Sequence, residues 1–481
     1  MKKLFLFITA IPAIMFLTYL KTEAQNLLRG KKLTDSVSKQ IHQKKYDDET
    51  LHLPSIFNDN MVLQQQTNVL IWGNSGKEET VQIEPSWNNH KYTAAADANG
   101  NWKIKIPTPK AGGPFQVKFS SDNKEIILKN ILIGEVWVCS GQSNMEMPLK
   151  GYNNQPVLNG DSLIADANNH PAIRIFRVPK IVSPTPLKDC KDTWYENNSK
   201  NAPDFSAVAY EYALILNEKL QVPVGIIATY WGGTAIQSWM SENNLKQFPK
   251  TWMSNRLDTI KDPEKSPAIL YNSMIAPIAG YTIKGFTWYQ GESNRYNPLF
   301  YKELMPAMVK EWRDDWQSGD LPFYYVQIAP YGYSWKNNYF SAILRESQLK
   351  VMNKIPNAGM AVILDAGKEK FIHPPDKAIV SERLSYWALA KTYHKKGIAY
   401  ASPVFKKMEI KDGKALLSFD HAKHGLTSNG KTLSNFEIAG RDSIFYPAKA
   451  LINLFNMYSR LDRNSNSLKL NVLAHFSPFF L

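Results

Sequence analysis

Between residues 53 and 129 the chain alternates hydrophobic and polar residues in short runs, a pattern typical of β-strands. Turn-forming residues separate the runs at Gly73, at 99–100 and at 112–114. The runs themselves lie at residues 69–72, 81–83, 102–106 and 115–119. Period-two runs at this spacing predict a small β-sandwich over residues 51–130.

From residue 133 onwards, strand-like apolar runs alternate with helical segments. The apolar runs lie at residues 136–138, 224–230, 286–289, 323–328 and 360–364, and helical segments lie near 207–220, 310–312, 344–351 and 376–396. This alternation predicts a mostly parallel sheet, covered by helices on both faces, over residues 131–397. The β pattern returns after Gly397, which predicts a C-terminal β region over residues 398–481. The predicted fold class is therefore α/β with flanking all-β material.

The N-terminus has the pattern of an export signal. Lys2 and Lys3 precede an apolar run from residue 4 to 20, and small residues near Ala24 provide a cleavage site. We therefore expect residues 1–24 to be a signal peptide and the protein to be periplasmic or secreted, although the run is also long enough for an uncleaved membrane anchor. Residues 25–50 are polar and Lys-rich and are expected to form a flexible lead-in.

The net charge of +14 changes this picture little. Lysines are scattered through the chain, and neither a basic helix nor a known nucleic-acid module is recognisable. We expect no nucleic-acid partner, and no membrane contact beyond the export signal. The charge indicates only a mild preference for anionic substrates.

Candidate chemistry lies where predicted strands end, because ligands of parallel α/β sheets bind beyond the carboxyl ends of the strands. Ser143 lies in a Gly-containing turn after one strand, and His373 lies just before a helix, where residues 374–375 are both proline. Each residue alone is more often structural. Together they predict a nucleophile and its base, since a serine hydroxyl needs an adjacent base to attack an ester.

Hydrogen-bond donors follow two further strands. Gly232 and Gly233 could bring a backbone N–H close to a ligand oxygen, or could form only a tight turn. Gln290 and Asn294 place side-chain amides at another strand end, or belong to a solvated loop.

These segments resemble the four sequence blocks of the SGNH hydrolases, and more closely those of the bacterial and animal sialate O-acetylesterases. The matching phrases lie at residues 61–64, 71–73, 134–146, 232–234, 288–294, 312–313 and 372–374. The resemblance extends over roughly residues 51–450. It implies a flavodoxin-like SGNH hydrolase domain with β-domain material on either side, in agreement with the hydrophobic pattern.

The resemblance also implies roles for individual residues. Ser143 would be the nucleophile and His373 its base. The oxyanion donors would be the Ser143 amide, the amide of Gly233 (or Gly232), and a side-chain amide from Gln290 or Asn294. No cofactor is implied, and no metal, because no His/Cys cluster has the spacing of metal ligands.

One departure from the family pattern concerns the acid that orients the histidine. Many SGNH hydrolases place an aspartate two or three residues before it, where this chain has Phe371 and Lys370. Asp365 is therefore our first candidate and Glu369 the second. The remaining alternative is a backbone carbonyl near Phe371.

The function that follows is a carbohydrate O-acetylesterase acting by Ser/His covalent catalysis. The expected partner is an acetylated glycan or free O-acetylated sialic acid. An acetylxylan-type polysaccharide acetylesterase would use the same catalytic groups. The missing aspartate also leaves open a catalytically inactive glycan-binding protein.

The second departure is the C-terminal tail. The sequence similarity to the family ends near Ala450, and residues 453–481 match nothing expected of the family. We expect this tail to be atypical and poorly ordered.

Overall fold

The computed structural model describes most of the chain. The described residues are 51–460 apart from 123, 251–261, 334–338, 412–413, 424, 429, 431, 434–435, 440–443 and 454–455. The predicted signal peptide, the lead-in and residues 461–481 of the tail lie outside the described residues.

The N-terminal strands form two small sheets that pack against each other. Strands β2 (Asn68–Asn74) and β5 (Asn101–Pro107) pair antiparallel in one sheet. The other contains β1 (Val62–Gln64), β3 (Thr80–Pro85), β4 (Tyr92–Ala95), β6 (Gly112–Ser121) and the first part of β7 (Lys124–Gly141). Alternate residues point into the shared core, including Val69, Ile71, Val81 and Ile83. The predicted period-two pattern is thus the burial pattern observed.

Strand β7 continues through both parts of the molecule. Its first half pairs with β6 and β1, and residues 135–141 pair with strands of the central sheet. The boundary expected near residue 130 therefore lies within one strand. At the crossing, the buried carboxylate of Glu135 accepts hydrogen bonds from Gln64 (3.1 Å), Gln65 (2.7 Å) and the Tyr393 hydroxyl (2.9 Å).

The central sheet has the order β13–β12–β11–β7–β10–β8–β9. Its members beside β7 are β8 (Ile173–Arg177), β9 (Trp194–Glu196), β10 (Val224–Tyr230), β11 (Gly285–Tyr289), β12 (Phe323–Val326) and β13 (Ala358–Ala361). All pairs are parallel except β8–β9. Without the added β8–β9 edge, the strands follow the 2-1-3-4-5 order of flavodoxin-like sheets. The predicted fold class is confirmed.

Helices cover both faces of this sheet, as the alternation predicted. The helices are α1 (Ser143–Glu146), α2 (Gly160–Asp166), α3 (Ala207–Leu220), α4 (Glu242–Leu245), α5 (Pro298–Trp316), α6 (Phe340–Val351) and α7 (Ala378–Trp387). Helices α3 and α7 share one core with the sheet. Helices α5 and α6 pack on the other face, in a core continuous with that of the N-terminal sheets.

Local sequence explains the helix boundaries. Ser206 caps α3 by accepting the Ala209 N–H, and Gln221 ends it in the left-handed region. Pro298 begins α5, where its missing N–H costs nothing. Short 3₁₀ segments lie at Ala167–Asn169, Ala202–Asp204, Ile236–Trp239, Pro263–Lys265, Ala276–Ile278 and Glu292–Asn294, and π-helical turns at Tyr271–Ile275 and Ala388–Thr392.

The C-terminal region is an antiparallel sheet of order β14–β15–β18–β17–β16. Its strands are β14 (Val404–Lys411), β15 (Lys414–Asp420), β16 (Phe436–Ala439), β17 (Phe445–Asn453) and β18 (Asn456–Arg460). Strand β18 belongs to the part of the tail expected to be atypical, yet it pairs with β15 on one side and β17 on the other. The start of the tail is therefore an interior strand of this sheet.

Gly141, at the end of β7, should tolerate no side chain. Its φ is +143°, and a Cβ there would lie 2.1 Å from the Tyr289 carbonyl oxygen of β11. We expect Gly141→Ala to lower the free energy of unfolding by at least about 2 kcal/mol, because both strain and backbone overlap oppose it. Thermal and urea unfolding would measure this. Gly112→Ala is the matched control, since a Cβ there meets nothing closer than 3.8 Å; equal stability of the two variants would contradict the prediction.

Candidate active site

The turn after β7 places Ser143 between the two central strands of the sheet. The Gln142 N–H donates to the Tyr289 carbonyl of neighbouring β11 (3.0 Å), and Ser143 then begins helix α1. Here the sheet order reverses, the position where flavodoxin-like sheets bind ligands. As the first residue of a helix, Ser143 has an N–H with no intrahelical acceptor. That N–H has no partner among the described residues.

His373 meets Ser143 across this turn. Its Nε2 lies 2.8 Å from the Ser143 hydroxyl oxygen, and its Nδ1 lies 2.6 Å from Oε1 of Gln155. Because an amide oxygen only accepts, Nδ1 carries the proton and the Nε2 lone pair faces the serine. Burial, with a contribution from Lys377, lowers the pKa of His373 to about 4. The imidazole is therefore neutral at pH 7 and positioned to take the serine proton.

The side chain that contacts Nδ1 of His373 is Gln155, whereas the two acids expected from sequence have other partners. Asp365 instead accepts two hydrogen bonds from Arg383, at 2.6 and 2.7 Å. Glu369 is exposed, and its backbone oxygen accepts the Gly332 N–H. Gln155 lies in a loop that Tyr152 closes through a β-bridge, and the Tyr152 ring packs edge-on against His373. Gln155 is far from His373 in sequence and is not an acid, so neither spacing nor residue type indicates it.

The glycine turn after β10 lies directly against the serine. A Cβ on Gly232 would lie 3.2 Å from the Ser143 Cβ. The Gly232 N–H donates to the Glu146 carboxylate (2.6 Å), which also pairs with Lys180. Gly233 is exposed, has a φ of +75°, and its N–H has no acceptor in the described part of the chain. The backbone amides of Ser143 and Gly233 thus remain candidate oxyanion donors.

Gln290 is engaged elsewhere. It is fully buried, and its amide nitrogen donates to the Thr234 carbonyl (3.1 Å) and to Oδ1 of Asn294 (2.7 Å). Both of its N–H groups are therefore used, which is inconsistent with the predicted oxyanion role. Asn294 is also buried and donates to Gln237 (3.0 Å) while accepting the Ile236 N–H (2.9 Å). The two amides hold the segment that follows the glycine turn.

A buried polar cluster that the sequence did not suggest joins the serine turn to the histidine loop. Nδ2 of Asn144 donates to Glu292 (2.7 Å) and to the carbonyl of Ile372 (3.0 Å), directly before His373. Oδ1 of Asn144 accepts from the Lys377 ammonium (2.7 Å). Burial lowers the pKa of Lys377 to about 7 and raises the pKa of Glu292. Since hydrophobic patterns assign charged residues to the surface, only the tertiary structure could locate this cluster.

The described residues contain neither a metal cluster nor a membrane-spanning helix. Within them, no group of three or more His, Cys, Asp or Glu side chains could hold a metal ion. The same part of the chain contains no helix with the length and apolar character needed to cross a bilayer. Cys139 and Cys190 are both buried free thiols.

The known proteins that this chain is similar to include carbohydrate esterases. A family model described as carbohydrate esterase, sialic acid-specific acetylesterase, matches residues 133–377. Sialate O-acetylesterase of Homo sapiens is 31% identical over 403 residues, 76% of each chain, and that of Mus musculus is 29% identical over 431 residues, 76% of this chain and 78% of the mouse protein. The crystal structure of a carbohydrate acetylesterase from Xanthomonas citri has a TM-score of 0.78 and 33% identity, covering 86% of this chain and 91% of that one.

The low pKa of His373 predicts activity at unusually low pH. A general base works only when neutral, so kcat/KM should hold on the acid side and fall as pH drops through about 4. An unperturbed histidine would lose activity below about 6.5. A pH profile of kcat/KM for 4-nitrophenyl acetate, with circular dichroism at each pH to verify folding, measures this. An acid limb near 6.5 in folded protein would contradict the prediction.

Gln155 and Asp365 should differ sharply in their effect on the rate. Gln155→Ala removes the acceptor that holds His373, and we expect kcat to fall roughly 10- to 100-fold, less than loss of the base itself. Asp365→Asn disrupts a partly exposed ion pair with Arg383 away from His373, and we expect a change within about twofold. Steady-state kinetics of both variants would measure the difference. The reverse order of effects would restore Asp365 as the orienting acid.

Proposed function

Because the chain belongs to the sialic acid-specific acetylesterase family of carbohydrate esterases, we propose that it removes O-acetyl groups from sialic acid by covalent catalysis at Ser143. The family makes the protein a serine carboxylic-ester hydrolase that deacetylates sugars. The observation that supports the residue assignment is the hydrogen-bonded series Gln155–His373–Ser143, with distances of 2.6 and 2.8 Å.

In the proposed first half-reaction, Oγ of Ser143 attacks the acetyl carbonyl carbon and Nε2 of His373 takes the hydroxyl proton. The carbonyl oxygen becomes an oxyanion that accepts hydrogen bonds from the amides of Ser143 and Gly233. When the intermediate collapses, the bond to the sugar oxygen breaks, and His373 returns its proton to that oxygen. The free sugar leaves and an acetyl-serine remains.

Water completes the cycle in the second half-reaction. His373 deprotonates the water as it attacks the acetyl-serine, and the same two amides hold the new oxyanion. Collapse releases acetate and restores the Ser143 hydroxyl with the proton held by His373. Gln155 keeps the imidazole in one orientation throughout. Being neutral, it stabilises the transient imidazolium less than a carboxylate would, which fits the low pKa of His373.

A second candidate is an acetylesterase of neutral polysaccharides such as acetylated xylan. It is favoured by the similarity to the Xanthomonas citri enzyme, whose description is the broader carbohydrate acetylesterase. The catalytic groups would be the same, because a scaffold alone does not determine the substrate. An inactive glycan-binding protein is less well supported, since Gln155 occupies the orienting position whose apparent loss suggested it. We further propose a periplasmic or secreted location, on the pattern of residues 1–24.

Replacement of Ser143 tests the proposal directly. We expect Ser143→Ala to reduce acetate release from O-acetylated N-acetylneuraminic acid by at least about 10⁴-fold, because the covalent step needs the hydroxyl. Enzymatic measurement of acetate provides the readout. Ser318→Ala is the matched control, since Ser318 caps the end of α5 away from the site by donating to the Trp316 carbonyl. A folded Ser143→Ala protein with near-normal activity would refute the assignment of the nucleophile.

A further inference from the structure

Arg295 lies on the loop that flanks the candidate nucleophile. This loop follows β11, and its Gly291 and Ser293 N–H groups donate to the side chain of Gln142 (3.2 and 3.3 Å), the residue before Ser143. Glu292, in the same loop, binds Asn144, the residue after Ser143. Arg295 comes directly after the 3₁₀ segment of this loop, so its position is coupled to that of the serine.

The direct contacts of the Arg295 guanidinium are with neutral groups. It lies 4.2 Å from the ring centre of Tyr296 and 4.5 Å from that of Tyr333. It donates to the Glu292 carbonyl (3.2 Å) and to the Tyr296 hydroxyl. Stacking on aromatic rings fixes the plane of an arginine and leaves its remaining N–H groups along the edge available for an anion.

The only carboxylate among the described residues that is seen to act on this arginine is that of Glu292, at long range and without an ion pair, whereas three other arginines form ion pairs. Arg174 pairs with Glu196, Arg313 with Asp320 and Arg383 with Asp365. Arg295 is partly exposed and forms no ion pair within the described residues. An oriented arginine of this kind is suited to binding a planar carboxylate through two parallel hydrogen bonds.

The second tyrosine connects Arg295 to the other side of the site. Gly332, directly before Tyr333, donates its N–H to the carbonyl of Glu369 (2.9 Å), in the loop that leads to His373. Lys368 and Lys370 of that loop are exposed. Arg295 therefore contacts the loop after β12 through Tyr333, and that loop is hydrogen-bonded to the histidine loop, which carries further positive charge.

We propose that Arg295, oriented by Tyr296 and Tyr333, is a subsite for the carboxylate of an anionic sugar. The proposal rests on the proposed function, because it concerns the sugar whose acetyl group lies at Ser143. Sialic acid and the uronic acids both carry such a carboxylate. A sugar whose carboxylate is converted to a methyl ester lacks the negative charge. It should bind less well, since charge-assisted hydrogen bonds are stronger than neutral ones.

Binding to a catalytically silenced protein separates this subsite from catalysis. Isothermal titration of full-length Ser143→Ala would compare N-acetylneuraminic acid with its methyl ester, and galacturonic acid with its methyl ester. We expect at least one acid to bind about tenfold more tightly than its ester. The pair that shows the difference identifies the source of the carboxylate. In Ser143→Ala/Arg295→Gln the preference should fall below about threefold, and Arg295→Lys, which keeps the charge but not the planar fork, should retain part of it.

A matched control is Ser143→Ala/Arg177→Gln. Arg177 also stacks on a tyrosine, Tyr195 at 4.4 Å, but it lies on β8, on the opposite side of β7 from the loop that carries Arg295. The acid preference should survive in this variant. Equal binding of acid and ester in both pairs, or a preference that persists after Arg295→Gln, would overturn the subsite. If the acid preference depends on Arg295 but wild-type protein releases no acetate from any acetylated sugar, the subsite stands and the proposed function falls.

Discussion

The side chain of Asn144 is the constraint on which the site geometry depends. Its amide binds the loop after β11 through Glu292, the histidine loop through the Ile372 carbonyl, and the start of α7 through Lys377. These segments are far apart in sequence, and Asn144 is itself the neighbour of Ser143. Since every hydrogen-bonding atom of the amide is used, its orientation is determined, and with it the spacing of Ser143 and His373. A short polar residue thereby sets the distance on which the proposed proton transfer depends.

Burial gives this arrangement its electrostatic character. Lys377 and Glu292 are both almost fully buried, at 0% and 4% exposure, and each lies near the opposite charge across Asn144. A buried ion is costly without such compensation. Burial is the main cause of the lowered pKa of His373, and the positive charge of Lys377 lowers that pKa further. Lys377, which helps to hold the loops together, therefore also favours the neutral form of the candidate base.

The fold could be predicted from sequence because hydrophobic periodicity changes from strand alternation to strand–helix alternation near residue 133. Ser143 and His373 could be located because glycine and proline mark the loops that carry them. Gln155 could not be located from sequence, since only the tertiary structure brings its loop against His373. For Gln290 the residue type suggested a donor, but only the structure shows that neighbours already accept both N–H groups. The domain boundary expected near residue 130 does not interrupt the secondary structure, because β7 continues across it. One left-handed residue, Asn130, with a φ of +56°, lies at that position.

The continuity of β7 has a consequence for how the molecule could evolve and be engineered. The strand that carries the candidate nucleophile at its end is hydrogen-bonded at its beginning to the N-terminal sheets, and Glu135 joins the two regions midway. An appended module on a flexible linker can be exchanged or deleted without consequence for its neighbour. Here, removal of the N-terminal strands would leave β7 half unpaired and expose an apolar core shared with α5 and α6. The small N-terminal sheets are thus a structural part of the central sheet, and they could not be exchanged for another module without destabilising it.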